Sequence, residues 1–482
     1  MNRPVHLSQS PATASWTQRF ADVLTTSRLD ALLIFWCLLA FFATPVLLLR
    51  VSPFAGRAPE ALVGGAGLLL ALLLLAKGRP WLKFLQRHAS DLPAVGWAVL
   101  AGLLLRLAWV WIFPSNPASD GAVYFKLGQA LSEGRPYQTS GTWAYWPVGY
   151  PLWLASWIRL LGAGVAVLGS QCFAYVLAAL GIGRLAKHLA GEPAQRAAVW
   201  MFALWPNLWA QIGQPEKEVV IIALLPWVLL FLLDAPKWWR AALAGLALGL
   251  CILVQPGLQF LLPALALLVF IRLPLRQAWR SALLLAIGAC LVVLPWTLRN
   301  LRVLGAPVLV STNGGDNLYR ANNSLATGGY TSRGEVDLSA LGELDADRQG
   351  RMLAKAWIRS HPADFLALAM EKQWRFMGDD AASIYASLRV GGGANDPRVY
   401  TVLKLIANVW WLAVWLSLAL AAMAARGCKG PRDERWLLWA WLYLFVLHSV
   451  FESAGKYHLP MIWVLCVLSA CMLTRPAQGR TA

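Results

Sequence analysis

Long apolar runs recur along almost the whole chain, and polar residues fall in short breaks between them. A helix needs about 20 mostly apolar residues to cross the hydrocarbon core of a bilayer. Runs of that kind predict about twelve spans, over residues 30–51, 60–76, 92–113, 162–183, 194–211, 216–234, 239–254, 258–273, 282–297, 400–425, 436–450 and 457–474. Pro256 separates the seventh from the eighth and makes theirs the weakest boundary. Two stretches break the pattern. Residues 114–161 start polar and then turn aromatic (Trp143, Tyr145, Trp146, Tyr150, Trp153, Trp157), a density that suits short helices in the headgroup layer. Residues 298–399 mix Gly/Asn-rich turns with an amphipathic helix predicted over 347–377. The expected fold is an all-α polytopic membrane protein carrying a small outer segment of α/β or mixed structure. Its divisions are a polar N-terminus (1–29), a transmembrane region (30–297) with the loop 114–161, the outer segment (298–399), C-terminal spans (400–474) and a tail (475–482).

Composition strengthens this reading. Of 482 residues 58% are hydrophobic and 14% charged, with mean hydropathy +0.54, whereas soluble proteins carry about 25% charged residues. The net charge of +18 does not imply a nucleic-acid partner, because the basic excess lies in alternate short loops: 77–87, 184–196, 237–240, 272–280 and 426–435. The opposing loops hold only a few cations, among them Arg50, Arg57, Lys217 and Lys456. Positively charged loops stay cytoplasmic, so both termini are expected inside, and 114–161 and 298–399 outside. The polar first 28 residues lack an apolar core and predict no removable signal peptide. Cys37, Cys172, Cys251, Cys290, Cys466 and Cys471 lie mostly in apolar runs without paired or metal-ligand spacing, and read as buried hydrophobes.

Acidic residues are scarce on the outer side, which narrows the chemistry. Asp120 follows the third span in Pro114-Ser-Asn-Pro-Ala-Ser-Asp-Gly-Ala-Val-Tyr124. The Ser and Pro predict a turn and N-cap, with Asp120 in the first helical turn and Tyr124 on the same face. Asp120 either caps that helix or presents a carboxylate at the membrane surface. Glu216 and Glu218 stand about 200° apart on a helix, so one of them faces a site; Glu216, nearer the aqueous edge, is the better candidate, and a favourable acid at a helix N-terminus is the alternative. Lys217 and Lys456 either bind an anion or snorkel to the interface. Arg106, well inside the third span, either bonds a neighbouring helix or lines a lipid groove. Asn322-Asn323-Ser324 spells a glycosylation sequon but reads as a turn, His361-Pro362 as a local structural element, and Asp379-Asp380 as a solvated loop.

The order of motifs resembles a known group. Asp120, Tyr124, Gly134, Tyr137, Pro147, Gly149 and Pro151 match the first outer loop of the GT-C glycosyltransferases, especially the family of dolichyl-phosphate-mannose protein mannosyltransferases and bacterial aminoarabinose transferases. Pro295-Trp-Thr-Leu-Arg-Asn300, Ser311-Thr-Asn-Gly-Gly315, Asn317-Leu-Tyr319, Asn322-Asn323, Ala326-Thr-Gly-Gly-Tyr330, Trp357-Ile-Arg-Ser-His-Pro362 and Lys456-Tyr-His-Leu-Pro460 follow in the family's order. The resemblance covers most of the chain beyond residue 92; the first two spans look like an addition. Many relatives carry a second acid beside the Asp, whereas Gly121 follows it here, which weakens the case for a metal held by an acidic pair.

The resemblance implies a GT-C-like fold and an inverting transfer of sugar from a polyprenyl-phosphate donor to a glycan, lipid or protein acceptor, at the periplasmic face of a bacterial inner membrane. Asp120 is expected as catalytic base with Glu216 beside it. Tyr124, Tyr137, Lys217, Arg299, Lys456 and His458 are the substrate-binding candidates, with Lys456 and His458 preferred for the donor phosphate. No cofactor is established by the resemblance, a divalent metal is left open, and the polyprenyl-phosphate sugar is the donor substrate. Membrane lipids are partners and nucleic acid is not. The competing readings are a lipid or glycan transporter or flippase, for which internal repeats and ionisable residues at midplane would be expected, and an O-antigen ligase or polymerase, for which Arg and His in the outer loop would be.

Overall fold

The structure, a computed structural model, describes residues 27–50, 56–233, 237–331, 334–425 and 433–474. Helices α1 (Ser27–Arg50), α2 (Arg57–Lys77), α3 (Arg79–Ala89) and α4 (Val95–Ile112) lead to α5 (Ser119–Ser132) and α6 (Gly149–Leu161) in the first outer loop. Then come α7 (Ala163–Ala203), α8 (Pro206–Ala210), α9 (Glu218–Leu233), α10 (Trp238–Val254), α11 (Leu261–Arg272) and α12 (Leu275–Leu304). The segment 298–399 holds α13 (Asn313–Ala321), α14 (Glu343–Ser360), α15 (Pro362–Met377), α16 (Ala382–Tyr385) and a π-helical turn, Ala386–Val390. Helices α17 (Pro397–Ala424), α18 (Leu437–Val450) and α19 (Ile462–Thr474) complete the chain. The polar N-terminus up to residue 26, the tail 475–482 and residues 426–432 of the last basic loop, all read as cytoplasmic, lie outside the described residues.

Seven helical stretches among the described residues are long and apolar enough to cross a membrane, and three more are apolar but shorter. The chain is therefore a multi-pass membrane protein. Each stretch predicted as a span overlaps a helix, although 258–273 and 457–474 open on 3₁₀ turns and 92–94 and 216–217 precede their helices. Two predicted spans share α7, which is broken where Ala190 leaves helical geometry and Gly191 takes φ 85°, a conformation natural to glycine. The span predicted over 194–211 is itself interrupted at Leu204 and Trp205, ahead of Pro206.

The mixed structure expected for the outer segment is corrected. No β-strand occurs among the described residues; one isolated bridge joins Thr139 to Thr142. Residues 343–377 are rich in Ala, Leu, Met and Arg, which favour helix. The single helix expected over 347–377 is two, because Pro362 opens α15 and the residue before a proline avoids helical backbone. At the other side, α12 runs seven residues past the predicted end of its span and stops at Gly305, which adopts φ 70°.

Packing joins the first spans to the last, so α1 is no loose addition. Trp36 of α1 lies 5.9 Å from Trp415 of α17, which lies 5.2 Å from Trp441 of α18, and all three are fully buried. Buried Asp30 and Arg435 form an ion pair between α1 and the turn before α18. Helices α10 and α12 approach closely through Gly245 and Gly288: a Cβ on Gly245 would meet the Leu285 carbonyl at 2.3 Å, the small-residue packing that suits helices in lipid. Helix α19 is almost wholly buried against α7, α17 and α18, and the turn at its start packs on α9. That contact brings the middle of the sequence against the turn before its last helix.

Candidate functional site

Three chain segments meet at this contact: the start of α5, the turn before α9 and the turn before α19. Asp120 stands in the first turn of α5, whose N-cap is Ala118 and carries no side-chain cap bond, so capping is not what Asp120 does. Ser119, at φ 49°, turns the chain into the helix. Gln214 ties this loop to the turn before α9: its Nε2 donates to the Asn116 carbonyl (2.7 Å) and to Ser115 Oγ (3.1 Å), and its Oε1 accepts from the Ala118 N–H (3.2 Å). Gln171 Nε2 in turn donates to the Gln214 carbonyl at 2.5 Å. Gly121 abuts Pro215, where a Cβ would stand 3.1 Å from the ring and 3.2 Å from the carbonyl oxygen. A second acid beside Asp120 would therefore crowd Pro215, which accounts for the glycine.

Asp120 and Lys456 come together from opposite ends of the chain. Lys456 Nζ donates to Asp120 Oδ2 at 3.4 Å, with both side chains about half exposed (44% and 50%). Glu218 and Lys217 lie within electrostatic reach of Lys456. The Lys217 side chain makes no hydrogen bond or ion pair among the described residues, so one ammonium near Lys456 is unpaired. Tyr124 is buried below Asp120, edge-on to Trp146 (5.4 Å) and Tyr150 (5.6 Å). Burial, with the Asp120 and Glu218 charges, holds its phenol well above the ordinary value. Tyr124 thus lines the floor and stays neutral.

Glu216 stands in the turn just before α9, and its Oε2 accepts from Ser383 Oγ at 2.7 Å. Burial first, then the neighbouring Glu218 carboxylate, push Glu216 up to about 8 against the opposing pull of Ser383, Gln211 and Lys456. Lys456 lies within electrostatic reach of all three acids, Asp120, Glu216 and Glu218. Among the described residues no three His, Cys, Asp or Glu side chains gather so as to hold a metal ion.

Three expected substrate contacts are engaged elsewhere. Arg299 donates through Nη1 to the Trp143 carbonyl (2.7 Å) and through Nη2 to the Tyr137 carbonyl (2.9 Å), and packs on the Trp296 ring at 4.6 Å. Tyr137 is buried and donates to the Trp146 carbonyl at 2.9 Å. Both side chains fold the first outer loop onto α12 rather than facing the acids. His458 is fully buried, stacked on Trp411 at 4.4 Å, with Nδ1 at the Phe376 carbonyl (2.6 Å) and Nε2 at Asp380 (3.2 Å). It anchors the turn that carries Lys456 and does not reach a phosphate there.

Asp379 and Asp380, expected in a solvated loop, are corrected too. Asp380 is fully buried and accepts from Trp205 Nε1 (2.7 Å) and Asn207 Nδ2 (2.8 Å), while Asp379 pairs with Lys404 at 2.9 Å and Asn408 at 3.0 Å. A buried carboxylate needs such partners. Arg106 donates to the Gly102 carbonyl of its own helix (3.0 Å) and lies 3.9 Å above the Tyr175 ring of α7, and it lines a small cavity with Gln171, Tyr175 and Phe202. The sequon Asn322 is fully buried and donates to the Leu318 and Val450 carbonyls; it also accepts from buried Lys372, a lysine that burial lowers to about 7.

Glu343 holds the two outer segments together and gave no signal in the sequence. Its carboxylate accepts from the Trp143 N–H (2.7 Å), the Ala144 N–H (2.8 Å) and Thr312 Oγ1 (2.6 Å). Glu343→Ala strands three donors and is expected to destabilise the fold by about 1–3 kcal/mol. A lower unfolding midpoint in detergent, with faster proteolysis between residues 133 and 148, checks this; an unchanged midpoint would remove the clamp.

No family model matches the chain, and no curated protein matches it. Among solved structures it is similar to ArnT from Cupriavidus metallidurans bound to undecaprenyl phosphate, with 15% identity, TM-score 0.40, and 80% of this chain and 79% of that one covered. It is also similar to the oligosaccharyltransferase AglB from Archaeoglobus fulgidus in complex with an inhibitory peptide and a dolichol-phosphate, with 11% identity, TM-score 0.39, and 78% of this chain covered. The chain spans about half the length of that oligosaccharyltransferase.

Proposed function

We propose that the chain is an inverting glycosyltransferase that takes a sugar from a polyprenyl-phosphate donor at the periplasmic face of a bacterial inner membrane. The observation that carries this reading is the meeting of Asp120 with Lys456, 336 residues apart, beside unpaired Lys217 and at the head of an apolar bundle. A lipid phosphate needs cations at the membrane surface, and Lys serves phosphate as a point charge. An acceptor hydroxyl needs a carboxylate within hydrogen-bond reach. In this reading the acceptor oxygen attacks the anomeric carbon, its proton passes to Asp120, and the carbon–oxygen bond to phosphate breaks with both electrons leaving on the phosphate. Lys456 and Lys217 offset the charge that develops there. Attack opposite the leaving group inverts the anomeric configuration. Glu216, within electrostatic reach of Lys456, binds a sugar or acceptor hydroxyl.

The test is reconstitution of the purified chain in lipid vesicles with a radiolabelled polyprenyl-phosphate sugar and a panel of glycan, lipid and peptide acceptors. Covalent label on one acceptor, with polyprenyl phosphate released, is the expected result. Movement of the labelled lipid between leaflets without covalent transfer would replace this reading with a flippase.

A further inference from the structure

The outer segment reaches the site through a buried chain of hydrogen bonds that no motif announces. Ser383, fully buried at the start of α16, donates to Glu216 Oε2 at 2.7 Å. Its own N–H donates to Asn207 Oδ1 at 3.0 Å, and Asn207 Nδ2 donates to Asp380 Oδ1 at 2.8 Å. Asp380 in turn meets His458 Nε2 at 3.2 Å, two residues after Lys456. One buried carboxylate therefore connects with both sides of the site, with Glu216 through Asn207 and Ser383, and with the Lys456 turn through His458. All four residues are fully buried, where rotamers are locked by packing. We infer that Ser383 is the positioning residue of Glu216, and that the Asp380 network holds Ser383 at a fixed distance from the turn carrying Lys456. This rests on the reading of Glu216 as a functional carboxylate of the transferase.

Position and protonation are linked here. A hydroxyl donated to a carboxylate favours its charged form. The groups facing Glu216 are Glu218, Lys456, Gln211 and Ser383, with Tyr150 also within electrostatic reach. With burial dominant and Glu216 at about 8, its ionisation falls inside an accessible assay range. Ser383→Ala removes one donor, so the Glu216 midpoint moves up by about one pH unit, whichever of its forms is the active one.

The experiment is the pH profile of transfer by the full-length protein in vesicles, for wild type, Ser383→Ala, Ser383→Thr and Glu216→Gln. Expected are a limb near pH 8 in wild type, its displacement upward by about one unit in Ser383→Ala, recovery in Ser383→Thr, and loss of the limb in Glu216→Gln. A Ser383→Ala enzyme that changes in amount or melting point but keeps the wild-type limb overturns the positioning role, because a merely structural residue would do that. A Glu216→Gln enzyme with the wild-type profile overturns it as well, while the transferase reading is judged separately, by whether any label is transferred at all.

Discussion

Replacing Asp120 by Asn is expected to abolish glycosyl transfer while leaving expression, membrane insertion and donor binding close to wild type. General-base catalysis by a positioned carboxylate contributes roughly 10²–10⁴-fold, so turnover should fall by at least about 100-fold. The substitution keeps size and shape and removes the charge. It should not unfold the protein. Asp120 caps no helix, and its ion pair with Lys456 joins two half-exposed side chains at 3.4 Å, a kind of pair worth about 0–1 kcal/mol. Gly121 and Pro215, which fix the approach of α5 to the turn before α9, are untouched. Single-turnover measurements with purified variants in vesicles separate the step from binding. Wild-type turnover by Asp120→Asn would mean that the proton goes elsewhere, and the base would have to be sought at Glu216 or Glu218.

What was legible beforehand follows from how local each signal is. Apolar runs about 20 residues long mark helices one at a time, so each predicted stretch overlaps a helix in the structure. Asp120 was legible because it follows a span directly, with an aromatic outer loop behind it. Its partner Lys456 was visible as a cation at the start of the last span, but their contact depends on α19 lying against α7, which no local pattern encodes. Asp380 looked solvated because two acids in a loop usually are. The neighbours that bury it, Trp205, Asn207 and His458, come from α8 and the turn before α19, far away in sequence. Arg299 and Tyr137 looked free for the same reason: the carbonyls they bond belong to the loop 133–148, whose fold depends on Glu343 from another segment. Long-range polar contacts, not helices, are where a single sequence falls silent.

Lys456→Ala carries the second large effect, on donor use rather than on the proton transfer. A hydrogen bond to a charged group contributes about 1.5–3 kcal/mol, so loss of one phosphate contact should raise the donor concentration needed for half-maximal rate by roughly 10- to 100-fold. Lys456→Arg should recover only part of it, since a planar guanidinium does not reproduce a compact ammonium. One rival explanation must be separated. Lys456 also touches Asp120, and its removal could act by altering the base alone. Binding of polyprenyl phosphate to the Asp120→Asn protein settles which holds, because no base remains to be altered there. If Lys456→Ala still weakens binding of the lipid phosphate in that background, and if raised salt weakens the wild-type interaction as screening demands, the ammonium acts on the phosphate. Lys217→Ala should then add to the loss, because Lys217 is an unpaired cation within electrostatic reach of Lys456. Equal binding with and without Lys456 in the Asp120→Asn protein would instead reduce Lys456 to a partner of the carboxylate, and the phosphate would have to be held by Lys217 or by cations outside this cluster.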